Sequence, residues 1–89
     1  MADELTPIVV GVDTHADNHV AVVIDHVDRR LDSLEVPATV AGHERLVNWA
    51  SGLGAVEAFR VEGTGSYGAG LSRYLANTGV KVVEVGRVG

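Results

Sequence analysis

The chain has 89 residues, 46% hydrophobic and 21% charged, with a net charge of −5 from seven basic and twelve acidic side chains. That length allows one small domain, and the absence of cysteine rules out a disulfide framework or a thiolate metal site. No run approaches the roughly 18 apolar residues of a membrane span, the acidic start Met1-Ala2-Asp3-Glu4 is wrong for a secretory signal, and the only basic pair, Arg29-Arg30, is far from the basic patch of a nucleic-acid binder. These features describe a cytoplasmic domain that, in isolation, lacks the charge to hold DNA or RNA tightly.

After a polar lead-in, Pro7 can open a strand, since a first residue need not donate to the ladder. The first strand spans about Ile8 to Asp13, a nearly continuous apolar run that ends in a carboxylate and so reads as central and buried on both faces. Asp17-Asn18 supplies turn chemistry. A second strand follows from about His19 to Asp25, with Val20, Val22 and Ile24 on one face and Ala21 and Val23 on the other. The third, about Leu31 to Val36, is the most polar and is assigned to the sheet edge. Thr39 is an N-cap candidate for a helix over about Val40 to Ser51, whose apolar side is Leu46, Val47, Ala50 and, loosely, Val40. Gly52 stands where a glycine would end it. A fourth strand spans about Val56 to Glu62. Ser66 is a candidate cap for a helix over about Tyr67 to Asn77, striped by Tyr67, Leu71, Tyr74 and Leu75 and ended by Gly79. A fifth strand covers about Val80 to Val85. The order β-β-β-α-β-α-β, a meander followed by alternating units, predicts an α/β mixed sheet with strand one central and parallel to strands four and five. Trp49, Phe59 and Tyr74 are expected in the core.

Two carboxylates stand out, Asp13 and Glu62, each ending an apolar strand. Neighbouring parallel strands finish at the same edge of a sheet, where ligands bind in open α/β folds. If strands one and four are adjacent, the two acids converge, and converging carboxylates repel unless a cation or proton intervenes. Mg²⁺ commonly takes one or two protein carboxylates, waters and phosphate oxygens, which is the raw material of metal-assisted phosphodiester chemistry. The alternative is that each acid merely terminates its strand in solvent. The run Gly63-Thr64-Gly65-Ser66-Tyr67-Gly68 fits G-x-G-x-x-G between a strand and a helix, with Glu84 ending the next strand, as in dinucleotide sites. It follows the fourth strand rather than the first, however, and leaves Asp13 unexplained; a packed strand-to-helix turn is the simpler account. Asp13, His15, Asp17 and His19 crowd one turn and include ligands that suit Zn, Ni or Mn, but an alternating strand points them in different directions.

Taken together, Val9-Val10-Gly11-Val12-Asp13-Thr14-His15 with Asp17 and His19, Pro37-Ala38-Thr39 with Gly42, Val61-Glu62-Gly63-Thr64-Gly65-Ser66-Tyr67-Gly68, and Val80-Lys81-Val82-Val83-Glu84-Val85 resemble one family. It is the insertion-sequence transposases with an N-terminal RuvC-like DEDD domain, the group that includes the pilin-gene inverting recombinases. The resemblance covers almost the whole chain. It implies a ribonuclease H-like fold and a DNA recombinase, with Asp13 and Glu62 as the first two DEDD acids, both binding Mg²⁺. The family's two later aspartates and a serine-bearing C-terminal domain implicated in strand transfer lie beyond these residues, and some members use a bridge RNA as guide. After the fifth strand the family continues into Asn-Arg-Pro-like residues, where this chain reads Gly86-Arg87-Val88-Gly89. Residues 1–89 are therefore expected to be the N-terminal part of such a domain, inactive alone and prone to self-association. The competing functions are a small nucleotide-binding module built on the Gly63–Gly68 turn and a non-catalytic fragment that pairs with a full-length transposase.

Overall fold

The computed structural model describes residues 6–63 and 65–86. The acidic lead-in over residues 1–5, Thr64 of the glycine-rich turn and the tail 87–89 lie outside the described residues. The strands are β1 (Pro7–Thr14), β2 (Asn18–Asp25), β3 (Arg30–Pro37), β4 (Ala55–Glu62) and β5 (Lys81–Val85); the helices are α1 (Val40–Ser51), between β3 and β4, and α2 (Gly65–Ala76), between β4 and β5. They form one sheet in the order β3-β2-β1-β4-β5. β1 is central, antiparallel to β2 and parallel to β4, and β3 is an edge, as the polarity of the segments predicts. The arrangement is ribonuclease H-like.

Alternation sets the two faces of the sheet. Ile8, Val10 and Val12 of β1, Ala21 and Val23 of β2, and Phe59 and Val61 of β4 are buried with Leu46 and Ala50 of α1 and Leu71 and Leu75 of α2 in a single core. Both helices thus cover the same face. The opposite face presents Val9, Gly11 and Asp13 beside Val20, Val22 and Ile24, all only half-buried. The sequence reading of β1 as buried on both faces is corrected accordingly: its apolar run is continuous, but only every second residue meets the helices.

Local chemistry explains the joints. Thr39 caps α1, its Oγ1 accepting from the Gly42 amide at 3.0 Å. Gly42 is buried where α1 crosses the end of β3, and a β-carbon there would collide with the Pro37 carbonyl oxygen. Gly52 ends α1 as expected, in right-handed geometry (φ −78°, ψ −14°). α2 starts at Gly65, which puts Ser66 inside the first turn instead of before it. Tyr67 and Val40, assigned to apolar stripes, are 57% and 71% exposed, because each lies in the first turn of its helix, past the rim of the core. Phe59 is buried, whereas Trp49 and Tyr74 are half-buried at the core's margin. Asp25 holds the β2–β3 turn by accepting from the amides of Val27 and Arg29 at 3.0 and 2.9 Å. It also pairs with the Arg29 guanidinium at 3.1 Å.

The core includes a polar seam that the apolar pattern did not announce. His19 on β2 and His43 on α1 are both buried and stack with ring centroids 5.7 Å apart. Tyr74 on α2 lies 5.5 Å beyond His43. The Nδ1 of each histidine has no hydrogen-bond partner among the described residues. Burial lowers the pKa of both, and for His19 the neighbouring His43 and His15 lower it further, partly offset by the Asn18 backbone. An unfolded histidine titrates near about 6.5. Above that pH both states are neutral and the seam is unpenalised. As pH falls below it the unfolded chain takes up protons that the folded chain resists, so stability declines toward the lowered folded values. Urea midpoints are expected to fall between pH 7.5 and pH 5.5, with a smaller fall in His43→Phe. Equal midpoints for the wild-type chain at the two pH values would contradict a neutral buried pair.

Candidate metal centre

β1 and β4 run parallel, and their register brings Val12 opposite Val61 and Asp13 opposite Glu62. Residues so paired on adjacent strands share a face and stand about 4.8 Å apart at the backbone. Val12 and Val61 point into the core, so Asp13 and Glu62 both point to the uncovered face. They line one shallow cleft of about 340 Å³ with Gly11, Val20, Ile24 and Arg30. The strand adjacency on which the sequence made convergence of the two acids conditional is present.

This pairing depends on an irregularity. Ile8 is opposite Val56, but Val9 is opposite Ala58, so β4 carries one extra residue, Glu57. Such a bulge shifts the register of everything downstream. Without it Asp13 would face Val61, and Glu62 would be one step out of line. The bulge also lets Val56 and Phe59, three apart, both reach the core, which strict alternation forbids.

Around the acids the backbone is tightly held. Gly63 adopts φ 68°, in the left-handed region, immediately after Glu62. Its amide donates to the Val85 carbonyl at 3.2 Å, tying the strand end to β5. Thr14, buried beside Asp13, directs its hydroxyl at the Glu62 and Gly63 carbonyl oxygens, 2.7 and 2.6 Å away. His15 Nε2 lies 3.2 Å from Asp13 Oδ2 and donates to the carboxylate when it carries the proton. Sequence reasoning did not single out Thr14. Its signal was a hydroxyl at the fourth place of the buried series Ile8, Val10, Val12, where an apolar residue is expected.

The donor chemistry suits a hard cation. Two carboxylates on one open cleft, with solvent access for waters, match the coordination habit of Mg²⁺ better than that of a closed all-protein cage. Among the described residues no group of three or more histidine, cysteine or acidic side chains is placed to hold a metal. The crowded turn does not form a transition-metal set: His19 is turned into the core while His15 and Asp17 are exposed. In the glycine-rich turn, the Gly63 amide, a donor that a phosphate would need, is bonded to the Val85 carbonyl, and Gly68 is buried in α2. Among the described residues no helix is long and apolar enough to cross a membrane.

No curated protein is significantly similar to the chain. A transposase family, the DEDD transposases of the IS110 type, matches residues 10–87. The matched stretch includes part of every strand of the sheet and both acids at the strand ends, and the chain belongs to that family of transposases.

Proposed function

We propose that residues 1–89 form the N-terminal part of a RuvC-like DEDD domain, and that Asp13 and Glu62 are its first two metal-binding acids, serving DNA strand cleavage and transfer. The observation that carries this reading is the Asp13–Glu62 register on adjacent parallel strands. Two carboxylates forced side by side burden a fold unless a cation relieves them, so the arrangement makes sense as a binding device. Bound Mg²⁺ would supply Lewis-acid stabilisation of a phosphodiester. The chain's own residues do the rest: β1 and β4 fix the acids on rigid elements, and His15 steadies the Asp13 carboxylate. DNA is the partner that family membership favours, with a guide RNA as in some members. The net charge of −5 leaves most phosphate neutralisation to the cation and to basic surface outside these residues.

Mg²⁺ without nucleotide is expected to raise the melting temperature of the wild-type chain, since a ligand that binds only the native state stabilises it by about 2.7 kcal/mol at a hundred times Kd. For a domain of this size each kcal/mol is worth about 4–8 °C. Asp13→Asn keeps the shape and removes a charge; its metal-free melting point should be unchanged or slightly higher, and the Mg²⁺ response should vanish. Glu62→Gln should behave alike. An undiminished Mg²⁺ shift in both variants would remove the metal assignment, and a shift seen only with nucleotide would favour the glycine-rich turn as the site.

Purified alone, the 89-residue chain is expected to leave labelled DNA intact with Mg²⁺, because two carboxylates supply half of a DEDD set; measurable Mg²⁺-dependent cleavage would overturn this. Self-association is also proposed. The uncovered face carries Val9, Val20, Val22 and Ile24 together, and contiguous apolar surface of this kind recruits partners. Light scattering should report a mass above 9.3 kDa that rises with concentration, and a constant monomer mass would refute it.

A further inference from the structure

We propose that Thr14 is the positioning residue of the carboxylate pair: its hydroxyl binds the end of β1 to the backbone that carries Glu62 and so sets the separation at which Asp13 and Glu62 meet a cation. The inference rests on the metal-site reading of those two acids.

The argument begins with a polar atom in an apolar place. Thr14 continues the buried series of β1 and is 4% exposed. A buried hydroxyl is costly without a partner. This one has two acceptors on the neighbouring strand, the carbonyls of Glu62 and Gly63 at 2.7 and 2.6 Å. One hydroxyl carries one proton, so the two oxygens share it. Successive carbonyls of an extended strand point to opposite sides. Bringing both onto a single hydroxyl requires the chain to leave extended geometry between them, and it does so at Gly63, with φ 68°.

The consequence falls on the acids. Asp13 is the residue before Thr14, and Glu62 owns the first of the two carbonyls. Thr14 is therefore tied to the backbone of Glu62 at the point where the regular ladder stops: beyond Asp13–Glu62 the β1–β4 register has no further pair. Strand ends fray where the ladder runs out. A side-chain bond across the last rung replaces the missing pair and holds two like charges against their repulsion. The Gly63 amide, bonded to Val85, restrains the same turn from the other side.

The test uses the 89-residue chain and Mn²⁺ as the probe, in Thr14→Val, which keeps the shape without the donor, and Thr14→Ser, which keeps the donor. Val23→Ala, distant in the core, serves as a control for lost stability. Thr14→Val is expected to weaken Mn²⁺ binding by at least tenfold. Thr14→Ser and Val23→Ala should stay within about threefold of wild type, serine because it retains the bond. Wild-type affinity in Thr14→Val would overturn the proposal. If Thr14→Val does not fold, a tenfold loss in Thr14→Ser would overturn it, and retained affinity there supports it. Should the wild-type chain not bind Mn²⁺, the metal reading fails on its own. The positioning role is then decided by ¹³C NMR titration of the Asp13 carboxyl with and without Glu62→Gln. The effect of that substitution is expected to be at least halved in a Thr14→Val or Thr14→Ala background, and an effect of equal size in both backgrounds would refute the role.

Discussion

The parallel contact of β1 with β4 is the constraint from which the rest of the molecule is measured. β1 is the central strand, and its two neighbours come from different kinds of connection: β2 by a tight antiparallel turn, β4 by a helical crossover. Of two adjacent strands, only a parallel pair brings both C-terminal ends to one edge. Each of these strands ends in an acid, and each acid is preceded by a buried valine that fixes its face. The position of Asp13 against Glu62 is thus a backbone fact before it is a side-chain one, and it holds only because Glu57 is bulged out of β4.

The helices act on one side of this sheet only. Leu46, Ala50, Leu71 and Leu75 close the core over β1, β2 and β4, and Gly42 lets the start of α1 approach the end of β3 closely enough to do so. The carboxylates lie on the other side, on the rim of an open cleft floored by Gly11. That division separates the demands of stability from those of chemistry. Among the described residues the buried polar side chains are Thr14, Asp25, Ser72 and the His19–His43 seam, while the open face tolerates charge because water still reaches it. Thr14 joins the two sides: it belongs to the buried face by position, yet its bond fixes the strand end from which Glu62 projects outward.

Family membership and geometry contribute differently to the functional reading. The match over residues 10–87 makes the chain a transposase family member. It does not by itself say which atoms would touch a cation. The register and the shared cleft place Asp13 and Glu62 together on the uncovered face, whereas the members of the histidine-rich turn diverge and the Gly63 amide of the glycine-rich turn is spent on the Val85 carbonyl.

The sequence by itself determined the element order, because the period of its apolar residues switches cleanly from strand to helix, and because Thr39 and the polar β3 mark a helix start and an edge. It determined the two acids as candidates, since a carboxylate closing an apolar strand is visible without coordinates. Tertiary structure decided whether their strands are adjacent and in register. Val56-Glu57-Ala58-Phe59 can be read in either of two alternations, and in the folded chain a register shift at Glu57 lets both Val56 and Phe59 reach the core and sets Glu62 opposite Asp13. It also decided the faces. Ile8 to Val12 is apolar without interruption, so nothing local says which side the helices take; that choice is made by the summed burial of four strands and two helices. Thr14 and His43 remained ordinary in the sequence for the same reason. Their partners are 48 and 49 residues away for the hydroxyl, and on a different element for the imidazole, so their roles exist only once the chain has closed on itself.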